Sequence, residues 1–137
     1  MAAAEPARAA TLHAGRAPLV LFSLIYALAY TLTTLLHEGA HATTSAWLGG
    51  NPVLYPTHVR HELTSGMAAA WVAAAGPLFN LLQGLLVLAL LPLLSRRSAA
   101  SRLLWLWLCI DGLVNFFGYL LTTPFVARGD AGKVVVP

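Results

Sequence analysis

Charge is what this 137-residue sequence lacks: 9% of its residues are Asp, Glu, Lys or Arg, against roughly 25% in an average soluble domain. Hydrophobic residues make up 58%. That balance excludes an ordinary water-soluble globule, and it excludes a disordered chain as well, which needs low hydrophobicity and many charges. There is a single cysteine, Cys109, and it sits in an apolar run. No intrachain disulfide and no cysteine-based zinc cluster can form. The net charge of +3 needs no nucleic acid to explain it, because basic loops beside anionic headgroups account for it.

The eight Lys and Arg residues (8, 16, 60, 96, 97, 102, 128 and 133) all lie outside three long apolar stretches. Pro18 to Leu36 is 19 residues without a charge, and at 1.5 Å per residue such a helix is about 28 Å long, close to the hydrocarbon thickness of a bilayer. Helical character is expected to run on to about residue 48 and to stop at Gly49-Gly50-Asn51-Pro52. Met67 to Leu94 is a second uncharged run, in which Gly76-Pro77 and Pro92 should introduce kinks, and Leu103 to Ala127 is a third, broken only by Asp111. Only helices and closed barrels satisfy their backbone in lipid, and runs this long without alternation are helices. The expected fold is therefore an all-α, multi-pass membrane protein with three spans, about 18–48, 67–94 and 103–127, and the bilayer is its solvent.

Residues 50–66 mix turn formers with β-branched and aromatic residues, so a short loop or hairpin is expected between the first two spans. Residues 1–17 read as a polar tail, because the run behind them is longer than the ~7–15 apolar residues of a signal peptide. The last residues, 133–137, read as the start of a further segment. Five Lys/Arg flank one side of the three spans and three the other, which favours a cytoplasmic N-terminus. Trp47, Trp71, Trp105 and Trp107 fall near span ends, as an aromatic belt would.

The acids are five: Glu5, Glu38, Glu62, Asp111 and Asp130. An ionisable group inside a span needs a reason to be there. Glu38 belongs to His37-Glu38-Gly39-Ala40-His41, which reads H-E-x-x-H. Histidines at i and i+4 share one helical face, so two imidazole nitrogens can reach one Zn²⁺. Glu38, one step round the helix, can meet the water that a zinc ion activates, the position of a general base. A catalytic zinc takes a third protein ligand, and Asp130, Asp111, His58 and His61 are the candidates. Asp130 ends the third span on the side where His37 and His41 fall; Asp111 is placed at the opposite side and can instead pair with Asn115. Asp130 is the preferred ligand and Asp111 its rival, while His58 and His61 read more simply as solvated loop histidines. Asn80 and Asn115 can support substrate or glue helices together, and Gln83 and Gly84 read as packing residues.

His37-Glu38-Gly39-Ala40-His41 at the end of a first helix, followed by Ala73-Ala74-Ala75-Gly76-Pro77-Leu78-Phe79-Asn80 in a second, resembles the site-2 protease family of intramembrane zinc metalloproteases. The resemblance covers residues 20 to 132. It implies a three-helix core in which an Asp near an Asn/Pro-containing stretch of the third helix completes the zinc site; here that stretch is Asn115 to Pro124, followed by Arg128-Gly129-Asp130-Ala131-Gly132. The family sets Asp directly before Gly, whereas Ala131 intervenes after Asp130; Asp111-Gly112 has the adjacent pair. The resemblance also implies that residues 50–66 clamp an unwound substrate by strand addition. The expected activity is hydrolysis of peptide bonds in or beside the transmembrane segments of a membrane protein or peptide substrate, in a minimal enzyme or a fragment of one, alone or with partner subunits. The alternatives are a non-proteolytic membrane protein with a structural or binding zinc site, or a small metal-binding or transport subunit.

Overall fold

The computed structural model describes residues 4–63, 66–94 and 98–122, with side chains described from residue 17 onward. Its elements, in chain order, are helix α1 (Ala4–Trp47), strands β1 (Val53–Tyr55) and β2 (His58–Arg60), and helices α2 (Gly66–Leu94) and α3 (Ala99–Thr122). Three stretches of helix, Ala17–Trp47, Gly66–Leu94 and Ala99–Thr122, are long and apolar enough to cross a membrane.

The helices differ from the sequence expectation mainly at their ends. α1 already begins at Ala4, within the polar tail. α3 begins at Ala99 rather than Leu103, because Ser98 caps it, its hydroxyl accepting the Ser101 N–H at 3.3 Å. Pro77 and Pro92 both lie inside the continuous helix α2. The sequence expects the third span to reach Ala127; residues 123–137, and Asp130 with them, lie outside the described residues.

α1 ends at the predicted glycines through a Schellman motif. Gly50 N–H donates to Ser45 O at 2.8 Å and Gly49 N–H to Ala46 O at 3.1 Å, with Gly49 at φ 78°. The chain then enters an antiparallel hairpin in which Val53 pairs with Arg60 and Tyr55 with His58. Its base is closed twice: Glu62 N–H donates to Gly50 O at 2.9 Å, and Asn51 Nδ2 donates to Glu62 Oε2 at 3.0 Å.

Polarity is distributed inside out. Large apolar side chains such as Leu24, Leu28, Leu82, Leu86, Val114 and Leu120 are exposed, as lipid-facing residues are. The interior holds small apolar residues and Thr33, His37, His41, Ser45, Asn80, Gln83 and Asp111. On α1 the buried positions are Ile25, Ala29, Thr33, His37, His41 and Ser45, one residue in every four. This is the narrow seam of a helix that touches its neighbours along one line and leaves the rest of its surface exposed. Threonines off the seam satisfy themselves: Thr31, Thr34 and Thr43 donate to the carbonyls of Ala27, Tyr30 and Gly39 on the preceding turn.

Gln83 ties the three helices together, which corrects its reading as a packing residue. Its Nε2 donates to Thr33 Oγ1 of α1 at 2.9 Å and to Leu108 O of α3 at 3.0 Å. Close by, α2 and α3 approach through glycines. A Cβ on Gly112 would lie 2.7 Å from Asn80 O and 2.9 Å from Gly84 N, both backbone atoms that cannot move alone. Gly112→Ala is therefore expected to destabilise the fold by ~1–3 kcal/mol through overpacking. Gly118→Ala on the same helix, where a Cβ meets nothing within 4 Å, should be neutral or stabilising; thermal unfolding of the two variants in detergent checks the pair.

Candidate metal centre

His37 and His41 lie on the α1 seam, one turn apart, and both are buried. The seam turns them toward α2. Their rings are nearly perpendicular, 83° between planes with centroids 4.7 Å apart, and their Nε2 atoms face each other at 3.1 Å. Two nitrogens bound to one tetrahedral zinc at ~2.05 Å are about 3.3 Å apart. The pair is thus already close to ligand spacing.

Each ring is held at its other nitrogen by α2. His41 Nδ1 donates to Val72 O at 2.6 Å, and the side-chain amide of Asn80 lies 2.9 Å from His37 Nδ1, where it can hydrogen-bond the ring. The acceptor is Val72's carbonyl, one residue before that of Ala73, which Pro77 leaves without its helical donor. Tyr119 of α3 stacks on His37 at 5.6 Å and 11°. Nothing in the spacing of Tyr119 or Val72 along the sequence signals these roles.

Gly76 faces the gap between the rings. A Cβ there would lie 2.6 Å from His37 Nε2 and would also collide with His41 Nε2. Only a residue without a side chain leaves those two nitrogens accessible.

Beside the pair is a cleft of about 210 Å³ with mainly polar walls. Thr33, Thr34, His37 and Glu38 of α1, Asn80 of α2, Asn115 and Tyr119 of α3 and Thr57 at the hairpin turn line it. Glu38 is half-buried. It shares this cleft with His37, so a water molecule and a peptide carbonyl can both be brought beside its carboxylate.

The remaining sequence candidates are placed as follows. Asp111 lies mid-way along α3 rather than at the far end of its span, because the helix starts earlier than the charge pattern indicates. It is buried, one turn from Asn115, whose amide donates to the Asp111 backbone carbonyl at 2.8 Å and not to its carboxylate. Asp111 Oδ2 has no hydrogen-bond partner among the described residues. His58 stacks on Tyr55 at 4.6 Å across the hairpin, and His61 is half-buried just beyond β2. Among the described residues no third His, Cys, Asp or Glu joins His37 and His41; Asp130 lies outside them.

No protein-family model matches the chain, and neither a curated protein nor a solved structure matches it. The site is therefore judged on its own chemistry. Two convergent imidazole nitrogens at ligand spacing, both rings anchored through Nδ1, and a glycine cradle between them fit a Zn²⁺ ion. Gly76→Ala should abolish zinc retention by the purified protein while leaving its helix content unchanged, checked by elemental analysis beside circular dichroism.

Proposed function

We propose that the chain is an intramembrane zinc metalloprotease of site-2 protease type, hydrolysing peptide bonds in or next to the transmembrane segments of membrane protein substrates. The observation that carries this reading is the convergence of His37 and His41 over Gly76, beside a polar cleft that Glu38 shares, in a molecule whose remaining surface suits lipid. Buried polar groups in an apolar helix are costly unless paired, and here the pairing holds His37 and His41 with their Nε2 atoms toward each other.

His37 and His41 would hold the metal, with Asp130 as third ligand and Asp111 as its rival. When bound, zinc supplies Lewis acidity toward the scissile carbonyl and toward water. Glu38 takes the proton of the water that attacks the carbonyl carbon, and returns it to the departing amine as the C–N bond breaks. Asn80, through His37, keeps the ligand ring in place. The substrate helix must unwind to expose a carbonyl, since helical carbonyls are already engaged. The hairpin, with Thr57 over the cleft, offers strand edges on which the unwound segment can pair.

Glu38→Gln should keep zinc and lose cleavage of a co-expressed single-span substrate by ~10²-fold or more. Unchanged cleavage would remove the protease reading, and a zinc-retaining protein in which neither form cleaves would point to a structural or binding site. For the third ligand, Asp130→Ala is expected to lower zinc stoichiometry in purified protein while Asp111→Ala does not. The opposite result transfers the role to Asp111.

A further inference from the structure

The end of the molecule remote from the histidines has a groove of its own. Gly84 and Gly112 bring the backbones of α2 and α3 close together mid-way along the pair. Nearer their connection the two helices carry leucines instead. There a groove of about 440 Å³ opens, lined by Leu88, Leu91 and Pro92 of α2 and by Arg102 and Leu106 of α3. Leu88, Arg102 and Leu106 are exposed, so the groove faces outward from the bundle. Its one cation sits at the outer end: Arg102 is in the first turn of α3, and Leu106 is one turn deeper.

No carboxylate is at hand for that guanidinium. Of the described acid side chains, Glu38 belongs to the histidine cleft and Glu62 accepts from Asn51 at the base of the hairpin. Asp111 is buried further along α3, about 13 Å of helix rise from Arg102. The surroundings carry the same sign as Arg102. Thr33 meets Gln83 and His41 meets Val72, so α1 and α2 run antiparallel, and the start of α1 shares one end of the bundle with the α2–α3 connection. By sequence that end carries Arg8, Arg16, Arg96, Arg97 and Arg102 against Glu5 alone.

A groove of this kind suits a molecule that is an anion at one end and hydrocarbon beyond it. A planar guanidinium can take two phosphate oxygens at once, and an excess of basic residues beside a membrane favours anionic over zwitterionic headgroups. We infer that the groove between α2 and α3 binds an anionic phospholipid of the leaflet at this end, with its phosphate on Arg102 and an acyl chain along Leu88, Leu91 and Leu106. The headgroup supplies the selection and the chain supplies the fit, because in lipid one apolar surface is nearly as good as another. A second copy of the protein docked here about a two-fold axis would bring like charges together. The inference does not depend on the protease reading.

The test is native mass spectrometry of the full chain released from nanodiscs of equal parts phosphatidylglycerol and phosphatidylcholine, which counts both the lipids and the copies of the chain that stay together. The natural chain is expected to retain phosphatidylglycerol in preference to phosphatidylcholine. Arg102→Gln should lower that retention about fivefold, the worth of one basic residue at an anionic surface. Leu106→Trp and Leu88→Trp, which fill the groove from either wall and leave every charge in place, should lower it as much, whereas Arg97→Gln should lower it less. The substituted lining residues are exposed, so circular dichroism is expected to show unchanged helix content. General attraction of a basic end for anionic lipid predicts another pattern, in which the two arginine variants weaken retention alike and the tryptophan variants do nothing; that result would overturn the site. Equal retention of phosphatidylcholine, displacement of the lipid by inorganic phosphate, or a dimer that Leu106→Trp dissociates would each overturn it as well.

Discussion

A polar side chain buried between apolar helices has to be answered by a neighbour, and three of the four on the α1 seam, Thr33, His37 and His41, are answered from another helix, while Ser45 Oγ has no hydrogen-bond partner among the described residues. This constraint fixes the relation of the three helices. Thr33 is met by Gln83, which also reaches Leu108 O; His37 is met by Asn80, and His41 by Val72 O. A one-residue rotation of α1 would turn the whole set toward lipid at once. Apolar contacts in a bilayer discriminate little between one helix face and another, whereas buried hydrogen bonds do. The polar groups thus specify the packing as well as furnishing the site.

The glycines act on the same relation from the other side. A 2.6 Å hydrogen bond from a side chain to a neighbouring helix backbone, beside a 2.9 Å one between side chains, requires close helices. Gly76 removes the side chain that would separate α2 from the imidazoles, and Gly112 lets α3 settle against the backbone of Asn80 and Gly84. The position of Asn80 is therefore set from both faces of α2, by His37 in front and Gly112 behind. Binding chemistry and helix packing meet in one residue.

Much of this is legible in the sequence, and the parts that are not share a cause. Three long apolar runs announce helices, Gly49-Gly50 announces the end of α1, and turn formers around Pro56 announce the hairpin, because all are local signals. The H-E-x-x-H spacing likewise puts two rings on one face without reference to the rest of the chain. The answering groups are not local. Asn80 is 43 residues from His37 and Val72 is 31 from His41, so their roles depend on how α2 packs on α1. Gln83 stands out in the sequence as a polar residue in an apolar helix, but its partners do not. Asp111 lies mid-way along α3 because that helix begins at Ala99, where Ser98 caps it, before the charge of Arg102 that bounds the apolar run in the sequence.

The seam of α1 is graded along its length. Toward the hairpin it is Thr33, His37, His41 and Ser45; toward the other end it is Ile25 and Ala29, and Ala29 belongs to an apolar cluster with Val87, Leu108 and Cys109. Beyond the Thr33 and Gln83 layer the α1 seam itself, at Ala29 and Ile25, offers a hydrogen bond no partner. The three helices consequently confine the polar, proton-exchanging part of the α1 seam to the half of their length nearest the hairpin and leave the other half of that seam to Ile25 and Ala29.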